Sequence, residues 1–389
     1  MENTNNIIII GGGASGLMCA LTACLKGKSV TILESGFKLG KKILASGNGR
    51  CNLTNKNISE NCYNVFPDQL NQFNNLETLK FFSDLGLETY FDDEGRCYPV
   101  SNHSASVLEV LLNKLKTLKC NIVTNCFVSG VIKTQNGFNV ETSLGLFNAE
   151  KVVVATGGNT MKTMLNSFGV EVKDFTPSLC GLRTQESTKL ISGIRQTVKL
   201  HLTAKNFSEV EQGEIIFRED GVSGICAFNL SSKLNWSNVS KANLTINLLP
   251  EMSEQEVFNL LSNRKQKLTH LKALNFFDGL FVNNLGQELL NRNKISLSAD
   301  VKKLTEQNLK DLANTISNFN LTVVGKMDNN QVHHGGVELN ELTECLQLKK
   351  VKNMFCCGEV VNVDGVCGGY NLQWAWTSGH IVGDSLWLK

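Results

Sequence analysis

The residues best suited to chemistry begin near the N-terminus. Gly11-Gly12-Gly13-Ala14-Ser15-Gly16 is a G-x-G-x-x-G that directly follows the β-branched run Ile7-Ile8-Ile9-Ile10. Leu17, Ala20, Leu21 and Cys24 then recur on one face of a helix, and Gly27 stands where a helix C-cap belongs. Ser29-Val30-Thr31-Ile32-Leu33 reads as a second strand that ends at Glu34. Each part has a task in holding a nucleotide. Gly11 permits the tight turn, Gly13 lets the backbone approach a pyrophosphate, and Gly16 lets helix and strand pack closely. The helix N-terminus offers unpaired N–H groups and a positive dipole end to the phosphates. Glu34 can accept from both ribose hydroxyls and repels a 2′-phosphate. A G-x-G-x-x-G alone could be a glycine-rich turn; here strand, helix, second strand and acidic residue are all in register.

Further segments narrow the nucleotide. Residues 41–55 combine small residues with amides, hydroxyls and cations: Lys42, Ser46, Gly47, Asn48, Gly49, Arg50, Cys51 and Asn52. Such a loop suits backbone approach to an anionic or carbonyl-rich ligand, although a solvated basic loop would look similar. Lys151-Val152-Val153-Val154 is a buried strand running into Ala155-Thr156-Gly157-Gly158. A β-meander is expected before it, over residues 121–124, 127–133 and 138–142, with an Asn136-Gly137 hairpin turn. Near the C-terminus, Gly358-Glu359 is followed by Asp364-Gly365 and by Gly368-Gly369-Tyr370-Asn371-Leu372. A helix is expected over about 372–386, its N-terminus directly after these glycines.

A nucleotide fold interrupted by a meander and resumed on an Ala-Thr-Gly strand resembles the FAD domain of the glutathione-reductase-like superfamily. More narrowly, the chain resembles bacterial flavoproteins related to aminoacetone oxidase and to a carbon–carbon double-bond reductase of bile-acid metabolism. Arg50-Cys51-Asn52-Leu53-Thr54-Asn55 and Gly368-Gly369-Tyr370-Asn371 carry that likeness most specifically. It implies FAD as the cofactor. Its expected contacts are Gly11, Gly13, Ala14, Ser15, Gly16, Glu34 and Ser35 at the first strand pair, and Lys42 with 46–52 in the loop. Val128, the 155–158 segment, Gly358, Glu359, Asp364, Gly369, Tyr370, Asn371 and Leu372 complete the set. Departures concern the surroundings. The stretch after Gly158 is shortened to Asn159-Thr160-Met161-Lys162, residues 217–224 lack a Thr-His pair, and His333-His334 stand where relatives tend to carry Val-Thr.

These motifs need a frame. The expected fold class is α/β: a Rossmann-type FAD-binding domain with a β-meander, discontinuous over 1–178 and 341–389. An inserted α+β substrate domain spans 179–340. Within it, 198–203, 214–217 and 244–248 read as strands. Helices are expected from Ser253 to about 275 and over about 304–316, the first opened by the capping box Ser253-Glu254-Gln255-Glu256. No apolar run reaches the length of a membrane span, and no basic n-region opens the chain. With 38 Lys plus Arg against 36 Asp plus Glu, dispersed along the chain, no charge pattern points to nucleic acid. Thirteen scattered cysteines without Cys-x-x-Cys spacing argue against a disulfide framework or a zinc site, and point to reduced thiols in a cytoplasm.

The leading functional expectation is a FAD-dependent oxidoreductase exchanging a hydride with a small organic substrate. Its candidate proton or polarising groups are Tyr370, His334 and Arg50; packing, a surface loop and cofactor holding are their respective plainer roles. A disulfide reductase is excluded. Cys19 and Cys24 lie on the glycine-turn helix, and Cys356-Cys357 are adjacent, a strained spacing for a disulfide. Residues 179–340 contain no second glycine fingerprint, so NAD(P)H, if used, docks transiently at the flavin face. By family resemblance the reaction is a double-bond reduction or an amine-type oxidation. The alternatives are an RNA-modifying flavoprotein and a non-catalytic FAD-binding sensor. Oligomeric state is not encoded in any motif.

Overall fold

The computed structural model describes residues 4–158, 161–328 and 331–387. The chain forms two compact units, one comprising residues up to 176 and from 332 onward, the other 177–331.

The first unit is built on a parallel sheet whose centre is the strand Thr4–Ile10. Ile7–Ile10 are buried on both faces, which is why that run shows no alternation. Ile7 pairs with Val30 on the strand Val30–Leu33, and Ile10 with Val154 on the strand Gly145–Val154. Met354–Cys356 adds to the far side of Val152–Val154, again in parallel.

One expected meander strand belongs elsewhere. Asn121–Val123 pairs in parallel with Val30–Leu33, Ile122 opposite Ile32, and forms the sheet edge. The helix Ser104–Thr117 just before it makes a crossover, and a crossover returns the chain parallel. The meander proper is Val128–Thr134, Gly137–Thr142 and Gly145–Val154. Its last strand is antiparallel to Gly137–Thr142 over residues 145–149 and parallel to Thr4–Ile10 over 148–154.

The first helix, Ala14–Leu25, packs against the C-terminal helix, Tyr370–Ser385. Glycines set their approach: a Cβ on Gly379 would stand 2.4 Å from Ser15 O, and one on Gly383 2.6 Å from Cys19 O. This Gly-x-x-x-Gly spacing lets two backbones meet closely.

The second unit is a closed antiparallel barrel of six strands. Their order is Leu182–Thr184, Gly221–Ser223, Phe207–Arg218, Arg195–Ala204, Ala242–Asn247 and Phe319–Lys326, the last pairing back to the first. Two of the expected strands, 198–203 and 214–217, lie within these, and the third, 244–248, overruns Ala242–Asn247 by one residue. Val198, Leu200 and Leu202 point into the core while Lys199 and His201 face out. The capping box holds, with both arms formed between Ser253 and Glu256. That helix, however, is Glu254–Lys267 and does not continue to 275. Arg264 turns its guanidinium onto Phe276 O at 2.8 Å, so residues 273–275 fold back as a separate 3-10 turn. Glu306–Ser317 follows the expected second helix, and Ile225–Trp236 and Asn283–Arg292 add two more. The boundaries shift from 178/179 and 340/341 to 176/177 and 331/332. Val332–Val337 pairs with Val172–Ser178, and its His333, His334 and Gly335 all bond to residues 359–364 of the first unit.

Candidate active site

The glycine turn is sealed on one side and open on the other. A Cβ on Gly16 would fall 2.0 Å from Gly11 O, and one on Gly11 2.4 Å from Ala155 O. At Gly13, by contrast, no heavy atom lies within 4 Å of the Cβ position. Leu17 N–H makes the first helical bond, to Gly13 O at 2.9 Å, and no side chain caps the helix. The N–H groups of Ala14, Ser15 and Gly16 are therefore those a helix end leaves for a ligand. Glu34 Oε2 accepts from Gly12 N–H at 2.8 Å, and Oε1 from Gly36 N–H at 2.7 Å and the exposed Ser35 hydroxyl at 3.4 Å. Its carboxylate is held by backbone yet keeps lone pairs for a ribose diol. Val128 is buried at the start of its strand, 5% exposed.

Gly358-Glu359 is clamped beside this turn. Gly358 N–H donates to Ser378 Oγ at 2.8 Å, Trp374 Nε1 donates to Gly358 O at 3.1 Å, and Ser15 Oγ crowds the Gly358 Cβ position at 2.4 Å. Glu359 pairs with Lys42 at 2.5 Å and accepts from His333 N–H at 2.7 Å, with His333 Nδ1 at 3.1 Å. Burial pushes this carboxyl up, but His333 and Lys42 more than offset it and hold it at about 2. Gly157, at φ +78, has both Glu359 and Lys42 within 4 Å of its Cβ position, and Gly158 backs onto the His333 ring.

The two most specific sequence segments meet. Asn55 Nδ2 donates to Gly368 O at 2.9 Å, Thr54 Oγ1 to Gln373 Oε1 at 2.6 Å, and Trp376 Nε1 to Leu53 O at 3.0 Å. Gly369, at φ +98, opens the C-terminal helix with its Cβ position 2.6 Å from Thr54 O and 2.8 Å from Asn52 Oδ1. That Asn52 oxygen is buried and has no hydrogen-bond partner among the described residues. Asn371 spends its side chain on the loop, accepting from Gly365 N–H at 2.9 Å and donating to Gly365 O at 2.7 Å. Leu372, half-buried, follows on the first helical turn. On the other side, Gly47, Asn48, Gly49 and Cys51 all adopt positive φ. Ser46 Oγ donates to Ile43 O at 2.7 Å, and burial pushes the Cys51 thiol up to about 12.

Of the expected proton-handling groups, His334 and Tyr370 flank one turn. His334 Nδ1 lies 2.7 Å from Asp364 Oδ1, and Asp364 N–H donates to Asn64 Oδ1 at 2.9 Å. Tyr370 packs edge-on to Tyr63, whose hydroxyl donates to Tyr370 O at 3.0 Å, and burial raises the Tyr370 phenol. Arg50 stacks over Tyr98, 4.3 Å from the ring centroid, and no hydrogen bond among the described residues joins it to His334 or Tyr370. His333, Asn64, Tyr63 and Gln373 were not expected at the site. The paired histidines before Gly335-Gly336 were a legible signal for His333; nothing in the sequence marks the other three. Of the shortened stretch after Gly158, Asn159 and Thr160 lie outside the described residues, and a short helix, Lys162–Ser167, follows. Residues 217–224, which lack the Thr-His pair, lie in the barrel hairpin of Phe207–Arg218 with Gly221–Ser223.

An open backbone at a helix mouth, a fixed carboxylate 22 residues on and an orphaned amide oxygen at a second helix mouth together fit a dinucleotide. The family model described as "HI0933-like protein Rossmann domain" matches residues 5–385. The chain belongs to this family. As an HI0933-like protein it is a Rossmann-type FAD oxidoreductase. A 3-dehydro-bile acid delta(4,6)-reductase of Clostridium scindens is 32% identical over 402 residues, covering 97% of this chain and 98% of that relative. A ribosomal RNA dihydrouridine synthase of Escherichia coli is 27% identical over 394 residues, covering 95% of each. Among solved structures, a 3-ketosteroid-delta4-(5alpha)-dehydrogenase of Rhodococcus jostii shares the fold, with TM-score 0.50, 12% identity and coverage of 99% of this chain and 97% of that one. Among the described residues of this HI0933-like protein, no helix is long and apolar enough to cross a membrane.

Proposed function

We propose that this flavoprotein is a reductase that saturates a carbon–carbon double bond conjugated to a carbonyl group in a small organic substrate. The observation that carries the reading is the His334–Asp364 pair, a ring nitrogen 2.7 Å from a carboxylate on the turn leading to Gly368–Asn371. It is supported by the bile-acid reductase relative, alike over nearly its whole length.

Bound FAD supplies hydride transfer at flavin N5. The chain's own residues do the rest. Ala14, Ser15 and Gly16 offer N–H groups to the pyrophosphate, Glu34 accepts from the ribose, and Lys42 and Glu359 close the side beside Gly157. Asn52 Oδ1, buried without a partner among the described residues, would accept from a donor of the cofactor. Reduction at one carbon needs a proton at its neighbour. With both ring nitrogens protonated, His334 delivers it from Nε2–H and keeps its Nδ1–H on Asp364, which fixes the ring's orientation; the neutral ring left behind takes up a proton from solvent before the next turnover. Tyr370, a phenol kept neutral by burial, packs beside the same turn.

NAD(P)H is the proposed electron donor. With a single glycine fingerprint in the chain, it exchanges with substrate at one place, and ping-pong kinetics follow. A second reading, reduction of a uridine base in RNA, is supported by the dihydrouridine synthase relatives, which also align along nearly the whole chain.

The test is anaerobic. NADPH or NADH should bleach the yellow protein, and a conjugated 3-oxo steroid should restore the colour. Restoration by uridine-containing RNA and not by the steroid would establish the second reading. Bleaching by a primary amine, with colour restored only by oxygen, would replace reduction with oxidation and overturn the proposal.

A further inference from the structure

Away from the nucleotide end of the first helix, two cysteines from different elements share one cleft. Cys24 sits in the last turn of Ala14–Leu25, and Cys120 immediately precedes the edge strand Asn121–Val123. Both line a cavity of about 280 Å³, together with Lys28, Val30 and Lys119. The Cys120 thiol donates to Val30 O at 3.6 Å and to Asn121 O at 3.7 Å, and its side chain meets that of Cys24. Their backbones are fixed: Gly27 N–H bonds Cys24 O at 2.9 Å, Cys120 N–H bonds Leu115 O at 3.0 Å, and Asn121 is in register with Thr31. Cys120 is partly exposed and Cys24 lies beneath it, 7% exposed.

The pair is asymmetric. The hydrogen bond from Cys120 holds the Cys24 thiol below its ordinary value and pushes Cys120 up. Cys24 is the readier of the two to ionise, in a cleft lined by Lys28 and Lys119, the setting in which cysteines become nucleophiles. Among the described residues no group of three or more His, Cys, Asp or Glu is arranged to hold a metal ion, so the two thiols are left to each other.

We propose that Cys24 and Cys120 are a modification site, forming a reversible disulfide on exposure to a hydroperoxide. The Cys24 thiolate attacks one peroxide oxygen, the O–O bond breaks, and the departing hydroxide takes a proton and leaves as water. Cys24 is then a sulfenic acid. The Cys120 sulfur attacks it, the S–O bond breaks, and the hydroxyl leaves as a second water with the Cys120 proton. Two thiols lose two electrons and one peroxide gains them. A dithiol reverses the change. The step does not draw on the flavin, so it stands or falls separately from the proposed reductase activity.

The experiment uses the full-length, FAD-loaded protein and hydrogen peroxide. Non-reducing peptide mapping should reveal a Cys24–Cys120 cross-link two hydrogens lighter than the separate peptides. Iodoacetamide labelling of Cys120 in the denatured, quenched sample should fall about tenfold and return with dithiothreitol. Because the linkage closes a long loop, the oxidised protein should also melt several degrees higher. In Cys24→Ser the cross-link should vanish. Oxidation of Cys120 to a sulfinic acid without a cross-link in the wild-type protein, or its pairing with any other cysteine, would overturn the proposal.

Discussion

His334 Nδ1 stands 2.7 Å from Oδ1 of Asp364, whose side chain is 1% exposed and whose own N–H is held by Asn64. A buried carboxylate in that position dictates which ring nitrogen faces outward. His334→Gln should therefore slow substrate-dependent reoxidation of the reduced flavin by roughly a hundredfold to ten-thousandfold. Asp364→Asn should slow it about ten- to a hundredfold. In His334→Gln, flavin reduction by the electron donor and flavin content should stay near wild type. Stopped-flow separation of the two half-reactions measures this, and an unchanged reoxidation rate in His334→Gln removes the histidine from the chemistry.

Gly13 and Gly16 should fail differently. The Gly13 Cβ position meets nothing within 4 Å, whereas that of Gly16 overlaps Gly11 O at 2.0 Å. Gly13→Val should fold and melt normally as apo-protein but purify nearly colourless, since the branch occupies the approach to the pyrophosphate. Gly16→Ala should lower stability by several kcal/mol, because the clashing atom, Gly11 O, is backbone and cannot step aside. Thermal melts and flavin absorbance on the same samples decide the contrast.

Glu34→Ala removes an acceptor for the ribose and also releases Gly12 N–H and Gly36 N–H. FAD affinity should fall by about 1–3 kcal/mol, roughly 5- to 150-fold in Kd. Equilibrium dialysis of FAD against the apo-protein tests it; an unchanged Kd would place the ribose elsewhere.

The Glu359 carboxyl predicts a pH dependence of the apo-protein. Its folded value, about 2, lies below the unfolded one, so its contribution is present above the ordinary carboxyl range and lost as pH falls toward 2. The amount is roughly 2–3 kcal/mol. Urea midpoints of wild type should drop between pH 5 and pH 3 more steeply than those of Glu359→Gln. Equal slopes would mean that Lys42 and His333 do not hold the carboxylate in solution.

Gln373 is a buried hub. It accepts from Thr54 and donates toward Thr78, Thr377 and Phe73 O, tying residues 54–78 to the C-terminal helix. Gln373→Leu takes this partner from Thr54 and Thr78, while Thr377 still bonds Phe73 O, and should cost about 2–4 kcal/mol, read as a lower urea midpoint.

What the sequence disclosed follows from how local each signal is. The glycine turn, its helix and Glu34 lie within one strand–helix–strand unit, and their hydrogen bonds are those the spacing implies. The capping box at Ser253 is equally local. The barrel was only partly legible because Leu182–Thr184 and Gly221–Ser223 are three residues long, too short to show a period. Asn121–Val123 reads as a strand either way; whether it pairs in parallel depends on the helix before it. At the site, Asn64 and Gln373 act on partners about 300 residues distant in sequence. No spacing rule reaches that far. The Gly379–Gly383 spacing was in plain view, but its meaning depends on knowing which helix lies opposite.

The pairing of Val172–Ser178 with Val332–Val337 bears on how the chain assembles. Residues 177–331 form a contiguous unit with a core of its own, and its two ends meet where Gln331 N–H bonds Leu179 O at 3.3 Å. The strand Met354–Cys356 pairs with Val152–Val154 across some 200 residues. With residues 179 and 331 held together, the loop that this pairing closes is effectively much shorter, and its entropy cost correspondingly smaller. Synthesis from the N-terminus delivers that last strand and the C-terminal helix after the barrel residues.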